Sequence, residues 1–542
     1  MLPALRALVL SGLIWSGSPG SAATYYVDAI KGDDKAAGTG SGQPWRTLAR
    51  AQQARLQPGD YLLLAAGVKH KGRLHFESLA GTPGAPIVIG SYQQAGQDPR
   101  ATAMIDGRGT PFALGLKNSS HVRVENLTLT ADGGPLTGPM RCGVLVEADG
   151  TSESRGITLK GLHVKGVSFH PPGFVRPEAD VKTANGTTRY GWGIRFIVTG
   201  QEARMSDLTV TETVIERVDH TGLKFTAPAG GIRNVVVENV MVSHSGGPGI
   251  QLSGVTGGKF ARMTVDHSGS TTDSRNWGRG SGLWTWSCDD IVIEHSRFMN
   301  ANGPGDSAGV HIDFNCRNVI VQYNLSLNNA GGFCEVLGNN HNCAYRYNVS
   351  INDGHRVKGQ RGAFQEGKFF WLSGYVGQGV PRAGPFNTYF YNNTIYVGEE
   401  IEAKVAVSPT AEGVLIANNI FYIKGRSRTV TGDQLSADQK SVDPIKRVVF
   451  AGNLFLRADN WPDGLGLSDR EPIFGDPGFS RPGGLNLEDY TPSNAALVKD
   501  RGIGIPLLPG DDVGLRGGRE VKTDILGQPV TGAPDLGAIE LR

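Results

Sequence analysis

Through the middle of the chain, apolar and polar residues alternate over four to six positions at a time, as in Val235-Val236-Val237-Glu238 and Asn348-Val349-Ser350-Ile351. That is the period of a strand, not of a helix. Each alternating stretch contains a small polar residue: Asn126, Gly161, Thr213, Asn239, Thr264, Ser296, Asn324, Asn348, Asn392, Asn418 and Gly452. The shortest steps between them are about 24 to 28 residues, within the range of stacked solenoid repeats. Segments such as Val319 to Gly331 (VIVQYNLSLNNAG) and Ala344 to Gly354 (AYRYNVSINDG) therefore read as copies of one coil.

A single coil of short strands cannot bury its apolar face. Stacked coils share one core and pair each strand with the coil above and below. Asn and Gly tolerate the left-handed backbone that a sharp corner requires, and stacked Asn amides can hydrogen-bond along the column. The pattern predicts an all-β chain, a right-handed parallel β-helix with an N-terminal cap and an irregular C-terminal segment. The predicted division is a signal peptide over 1–23, a cap and first coils over 24–100, the catalytic β-helix over 101–460 and a C-terminal capping segment over 461–542. In the cap, a helix is expected from about Thr47 to Leu56 and a strand from Tyr61 to Ala65.

Composition supports this and narrows the function. Glycine fills 77 of 542 positions, well above the ~7% of average chains. A net charge of +2, with no Lys/Arg cluster interleaved with aromatics, argues against a nucleic-acid partner. Arg6, the apolar run Ala7 to Trp15 and the small residues Gly20 to Ala23 predict export to the periplasm or beyond the cell, without a membrane span. The odd count of five cysteines implies no disulfide framework. Cys288 and Cys316 stand at like offsets, so they are expected as stacked core thiols or, alternatively, as a bridge.

Candidate chemistry follows from a Gly-led strand repeated from coil to coil: Gly193-Ile194-Arg195-Phe196, Gly222-Leu223-Lys224-Phe225, Gly249-Ile250-Gln251-Leu252, Gly282-Leu283-Trp284-Thr285-Trp286 and Gly309-Val310-His311-Ile312-Asp313. Because strand side chains alternate faces, Arg195, Lys224, Gln251, Trp284, Trp286, His311 and Asp313 form one outward row. Aligning Ala330-Gly331 with Ala308-Gly309 sets Glu335 directly above Asp313. Two carboxylates on adjacent strands fit a retaining glycosidase, with one as nucleophile and the other as acid/base. Trp284 and Trp286 would stack on sugar rings, and Gln251 and His311 would bond hydroxyls. Insertions at about 167–190, 267–281 and 353–385 would wall the row and favour exo cleavage.

The segment GVHIDFNCRNVIVQYNLSLNNAGGFCEVLG (Gly309 to Gly338) resembles part of the parallel β-helix glycoside hydrolases that include β-xylosidases. The resemblance implies Asp313 as nucleophile and Glu335 as acid/base, with Tyr323-Asn324 and Gly331-Gly332 as framework between them. It spans about 30 residues and carries no xylose specificity. The cap and the closing segment resemble those of exported β-helix polysaccharide lyases and hydrolases. Lyases of this fold use a Lys or Arg base, roles that Arg195 and Lys224 would fill, so β-elimination on a uronic-acid polymer is the competing reading. A non-catalytic carbohydrate-binding β-helix is the third. No cofactor or metal is expected, and Ca²⁺ enters only under the lyase reading, for which no clustered ligands are evident. The expected partner is an oligo- or polysaccharide, and the sequence leaves oligomeric state open.

Overall fold

Where each coil turns, the backbone of one residue goes left-handed and the next residue points its side chain inward. Tyr323 (φ 57°), Tyr347 (φ 51°), Asn392 (φ 50°), Asn418 (φ 57°) and Gly452 (φ 70°) take the first role. The buried residues Asn324, Asn348, Asn393, Asn419 and Asn453 take the second. The repeat read from sequence therefore merged two neighbouring columns: Asn126, Gly161, Asn239, Asn392, Asn418 and Gly452 lie in the left-handed one, whereas Thr213, Ser296, Asn324 and Asn348 lie one residue later. Thr264 belongs to neither column and pairs with Arg297 within a strand. Asn is favoured by both roles, so its recurrence alone does not separate them.

The inner column is a hydrogen-bonded ladder. Asn348 Oδ1 accepts from Asn324 N at 3.0 Å, Asn393 Oδ1 from Asn348 N at 3.1 Å, Asn419 Oδ1 from Asn393 N at 2.9 Å, and Asn453 Oδ1 from Asn419 N at 2.9 Å. Each rung satisfies a backbone N–H that the corner would leave buried and unpaired. Asn393→Ala strips that acceptor from Asn348 and the donor from Tyr345 O and Tyr391 O. It is expected to cost about 3 kcal/mol, read as a lowered midpoint in urea.

The computed structural model describes residues 22–135, 138–183, 189–431, 445–463 and 465–542. The predicted export signal falls almost wholly outside them. Among the described residues, every pairing between named strands is parallel, and the fold is a parallel β-helix. One coil contributes three short strands, for instance Ala308–Ile312, Arg317–Gln322 and Leu325–Leu327. The first belongs to a sheet running from Leu74–Glu77 to Ser427–Thr429, and the other two to a second, longer sheet. In two middle coils the second and third strands run together, over Arg204–Val218 and Ile232–Ser245. Inside, like stacks on like: Phe196 lies on Phe225 with ring centroids 4.8 Å apart. All five cysteines are free and buried, so Cys288 and Cys316 are core thiols and not a bridge.

The leading glycines have a steric cause. A Cβ on Gly193 would lie 2.4 Å from Gly222 O, and one on Gly282 2.5 Å from Gly309 O. The coils pack too closely there for any side chain. At the N-terminus, Thr24–Val27 pairs with Tyr61–Ala65. The cap helix is shorter than expected, Leu48–Ala51, closed at its start by Thr47 Oγ1 accepting from Arg50 N at 3.1 Å. Beyond the last rung, Ile473–Phe474, the chain runs back along the flank of the coils, where Gly537 N donates to Asn418 O and Asn342 Nδ2 donates to both oxygens of Asp511.

Candidate active site

The first sheet places one residue of each coil in a straight row. Register partners run Leu145, Arg195, Lys224, Gln251, Trp284, His311, Glu335, Trp371 and Ala406. Core side chains flank each of them along the strand, so the row faces away from the core, as the alternation predicts. Trp371, read from sequence as part of an insertion, lies in the strand Lys368–Leu372 directly above Glu335.

One register differs from expectation. Glu335 pairs with His311, not with Asp313, because Gly331 N bonds Ser307 O and Gly332 is the partner of Ala308. Ala330-Gly331 forms the corner of its coil, whereas Ala308-Gly309 already belongs to the strand, so the two dipeptides are not equivalent. The offset is two residues. Side chains repeat with period two, so Glu335 still faces the row. Asp313, just past the end of Ala308–Ile312, becomes its diagonal neighbour on the coil below.

These groups are buried, not displayed on an open sheet: Trp284, His311, Asp313, Glu335 and Gln251 are all covered. Trp286 is the exception at 41% exposed. Trp284 Nε1 donates to Asp313 Oδ2 at 2.7 Å, and Phe314 N donates to Asp313 Oδ1 at 2.8 Å. The Trp284 indole lies flat on the His311 ring, centroids 5.3 Å apart. His311 Nε2 is 3.5 Å from Glu335 Oε1. Neither ring nitrogen of His311, nor Glu335 Oε1, nor Gln251 Oε1 has a hydrogen-bond partner among the described residues. Native interiors rarely leave so many buried polar atoms unmatched.

Sequence reading missed a third carboxylate. Asp306 sits at a corner (φ 50°) and is held by Arg279, Nε to Oδ2 at 2.7 Å and Nη2 to Oδ1 at 3.1 Å, with both residues buried. It lies outside any alternating strand, and its partner comes from the 267–281 insertion, so neither periodicity nor spacing marked it. Burial works against its charge, yet Arg279 holds its carboxyl below the usual value. The charge of Asp306 acts on both neighbours. Burial first, and Asp306 after the opposing hydrogen bonds from Phe314 and Trp284, raise Asp313 to about 7. Burial, then Asp306, then Asp313 against the pull of Lys368, raise Glu335 to about 8. Burial also pushes His311 down to about 4, leaving it a neutral ring.

The raised acid has a cost for folding. A carboxyl with a raised folded pKa binds its proton more tightly in the native state, so its contribution is present below 4.5 and is lost as pH climbs through about 8. Glu335→Gln is therefore expected to melt higher than the parent at pH 9 and alongside it at pH 4, as thermal scans at both pH values would show.

Arg195 and Lys224 are register partners at the lower end of the row. Arg195 does not pair with Glu147: its Nη1 meets Met140 Sδ at 3.1 Å and its guanidinium lies 4.6 Å from the Trp192 ring centroid. At the other side of Asp313, Trp286, Phe314 and Tyr375 meet edge to face, with centroids 5.8 Å apart at each contact. The partly open face of Trp286 suits a sugar ring. Trp286→Ala is expected to remove about 1 kcal/mol of binding, roughly fivefold in KM with kcat little changed.

The insertions interlock. Arg176 N donates to Ser274 O, Trp277 Nε1 to Asp180 O at 2.9 Å, and Phe364 N to Pro304 O. The cleft among them, about 680 Å³, is lined by Arg176, Trp277, Arg356 and Phe364 and not by side chains of the row. Among the described residues, no group of three or more His, Cys, Asp or Glu side chains could hold a metal ion, and no helix is long and apolar enough to cross a membrane.

No family model matches the chain. A lacto-N-biosidase of Bifidobacterium longum subsp. longum is 24% identical to it, over 96% of this chain and 36% of that protein. The chain thus spans about a third of the length of that curated relative. The crystal structure of a GH136 lacto-N-biosidase from Eubacterium ramulus superimposes with a TM-score of 0.52 at 19% identity, over 75% of this chain and 67% of that one. The complex of XylC with xylose aligns over 96% of this chain and 98% of that one, at 11% identity and a TM-score of 0.47. The likeness to the Eubacterium enzyme shows a shared fold.

Proposed function

We propose that this chain is an exported glycoside hydrolase in which Glu335 is the general acid and Asp313 the nucleophile. The observation that carries the reading is the division of labour between two carboxyls on neighbouring coils. Asp313 accepts two hydrogen bonds, which favour its ionised form, whereas Glu335 Oε1 accepts none and its carboxyl is pushed higher. Glu335 gives its proton to the glycosidic oxygen as the bond to the leaving sugar breaks. Asp313 takes the anomeric carbon. Glu335, now a base, then deprotonates the water that releases the second sugar. Trp284 fixes the Asp313 carboxyl, and the neutral His311 ring lies beside that of Glu335. Retention needs carboxyls about 5 to 5.5 Å apart, a separation compatible with a diagonal pair on adjacent coils at the ~4.8 Å strand spacing.

The relationship to a lacto-N-biosidase makes lacto-N-biosides the first substrates to test, followed by a panel of neutral and uronic-acid glycans. New reducing ends without ultraviolet absorbance support hydrolysis. The lyase reading is favoured by one observation, a half-buried Lys224 on the outward row whose ammonium falls to about 7 through desolvation and the charge of Arg195, as a base requires. An unsaturated product would establish it in place of hydrolysis. Glycan binding that survives loss of both carboxylates, with no product of either kind, would leave the chain a carbohydrate-binding β-helix.

A further inference from the structure

We propose that Lys224 and Arg195 form a subsite for a carboxylate carried by a sugar other than the one whose bond is cleaved. This rests on the hydrolase reading to the extent that the glycan lies along the row. Their strand neighbours Ile194, Phe196, Leu223 and Phe225 are fully buried, so both cations face away from the core, side by side. Among the described residues neither meets a carboxylate at ion-pair distance. Arg195 Nη1 meets Met140 Sδ, its guanidinium lies over Trp192, and among the described residues its Nε has no hydrogen-bond partner. Glu147, on the neighbouring strand two residues beyond Arg195's partner Leu145, is in register with Ile197 and accepts from Thr199 Oγ1.

Two half-buried cations held side by side are costly unless an anion joins them. The depressed ammonium of Lys224 expresses that cost. An independent observation comes from the next rung, where Gln251, 4% exposed, presents an amide oxygen with no donor. A sugar hydroxyl between the acid group and Trp284 would supply the donor. Lys224, Gln251, Trp284 and His311 occupy consecutive rungs. At ~4.8 Å per strand, Lys224 lies roughly 14 Å from the rung of His311, too far for one sugar to span both. The anion is then held away from the reacting carbon, where its binding energy positions the glycan without opposing the carboxylates. Arg195, with its face on Trp192, still offers an edge of N–H groups suited to a planar carboxylate.

The test uses the full chain carrying Glu335→Gln, titrated calorimetrically with glucuronate-terminated oligosaccharides, their carboxyl-reduced counterparts and versions bearing a sulfate ester on the same sugar. The carboxylate form is expected to bind about tenfold tighter than the reduced form. Lys224→Met on this background should abolish the difference, and Lys224→Arg should keep it. Equal affinity for acid and reduced forms overturns the subsite, as does a preference that survives Lys224→Met. Tighter binding of the sulfate ester than of the carboxylate overturns the assignment to a carboxylate. Hydrolysis is scored separately, as turnover of neutral glycans by the parent chain. If that fails while the acid preference holds, the subsite stands and the hydrolase reading falls. An unsaturated product from a uronic-acid glycan makes Lys224 a base and overturns the subsite.

Discussion

Asp313→Asn and Glu335→Gln are each expected to lower kcat/KM on natural glycans by about 10³-fold, within the range a lost acid, base or nucleophile produces. The two variants should part on substrates with a good leaving group. An aryl glycoside departs without a proton, so Glu335→Gln forms its intermediate at near-parent rate and stalls at hydrolysis, giving a burst of phenolate. Asp313→Asn, lacking the group that takes the anomeric carbon, gives no burst. Stopped-flow absorbance separates the two. Near-parent turnover by either variant on natural glycan would remove its residue from the mechanism.

The second large effect concerns Asp306. With Asp313 near 7 and Glu335 near 8, the free enzyme is productive when the first is ionised and the second protonated, so kcat/KM should follow a narrow bell between those values. The two carboxyls sense each other, so the limbs belong to the pair. Asp306→Asn removes a negative charge that raises both groups and frees Arg279, whose positive charge favours the ionised form of Asp313. Both limbs should move to lower pH. Breaking this buried pair also leaves Arg279 without its counter-charge, expected to cost about 3 to 5 kcal/mol of stability. A pH profile together with a denaturant melt reads both effects. A profile that stays in place would show that Asp306 acts only as a structural anchor.

Much of this site could be read from the chain, for reasons that can be named. The leading glycines recur because a Cβ has no room, against the next coil's backbone oxygen at Gly193, Gly222, Gly249 and Gly282 and against Ser326 of its own coil at Gly309, so they mark the row reliably. Corner asparagines mark coils but not register, since the left-handed position and the inner ladder one residue later both prefer Asn. Glu335 was placed two residues off because a Gly at a corner and a Gly in a strand look alike, and the even offset kept its side chain on the correct face. Burial of the row was not legible. It depends on what packs over the sheet, and alternation says only which way a side chain points. Asp306 stayed hidden because its significance lies in a partner, Arg279, brought to it by a separate insertion.

Chemical rescue identifies the carboxylates most directly. Azide is added to the Asp313→Ala and Glu335→Ala chains turning over an aryl glycoside, and the glycosyl azide is examined by proton NMR. Glu335→Ala should be accelerated and yield the azide with the substrate's own anomeric configuration, because azide attacks the intermediate formed on Asp313. Asp313→Ala should yield the opposite anomer, with azide replacing the missing nucleophile. Rescue of neither variant, or the reverse assignment of anomers, would contradict a mechanism built on Asp313 and Glu335.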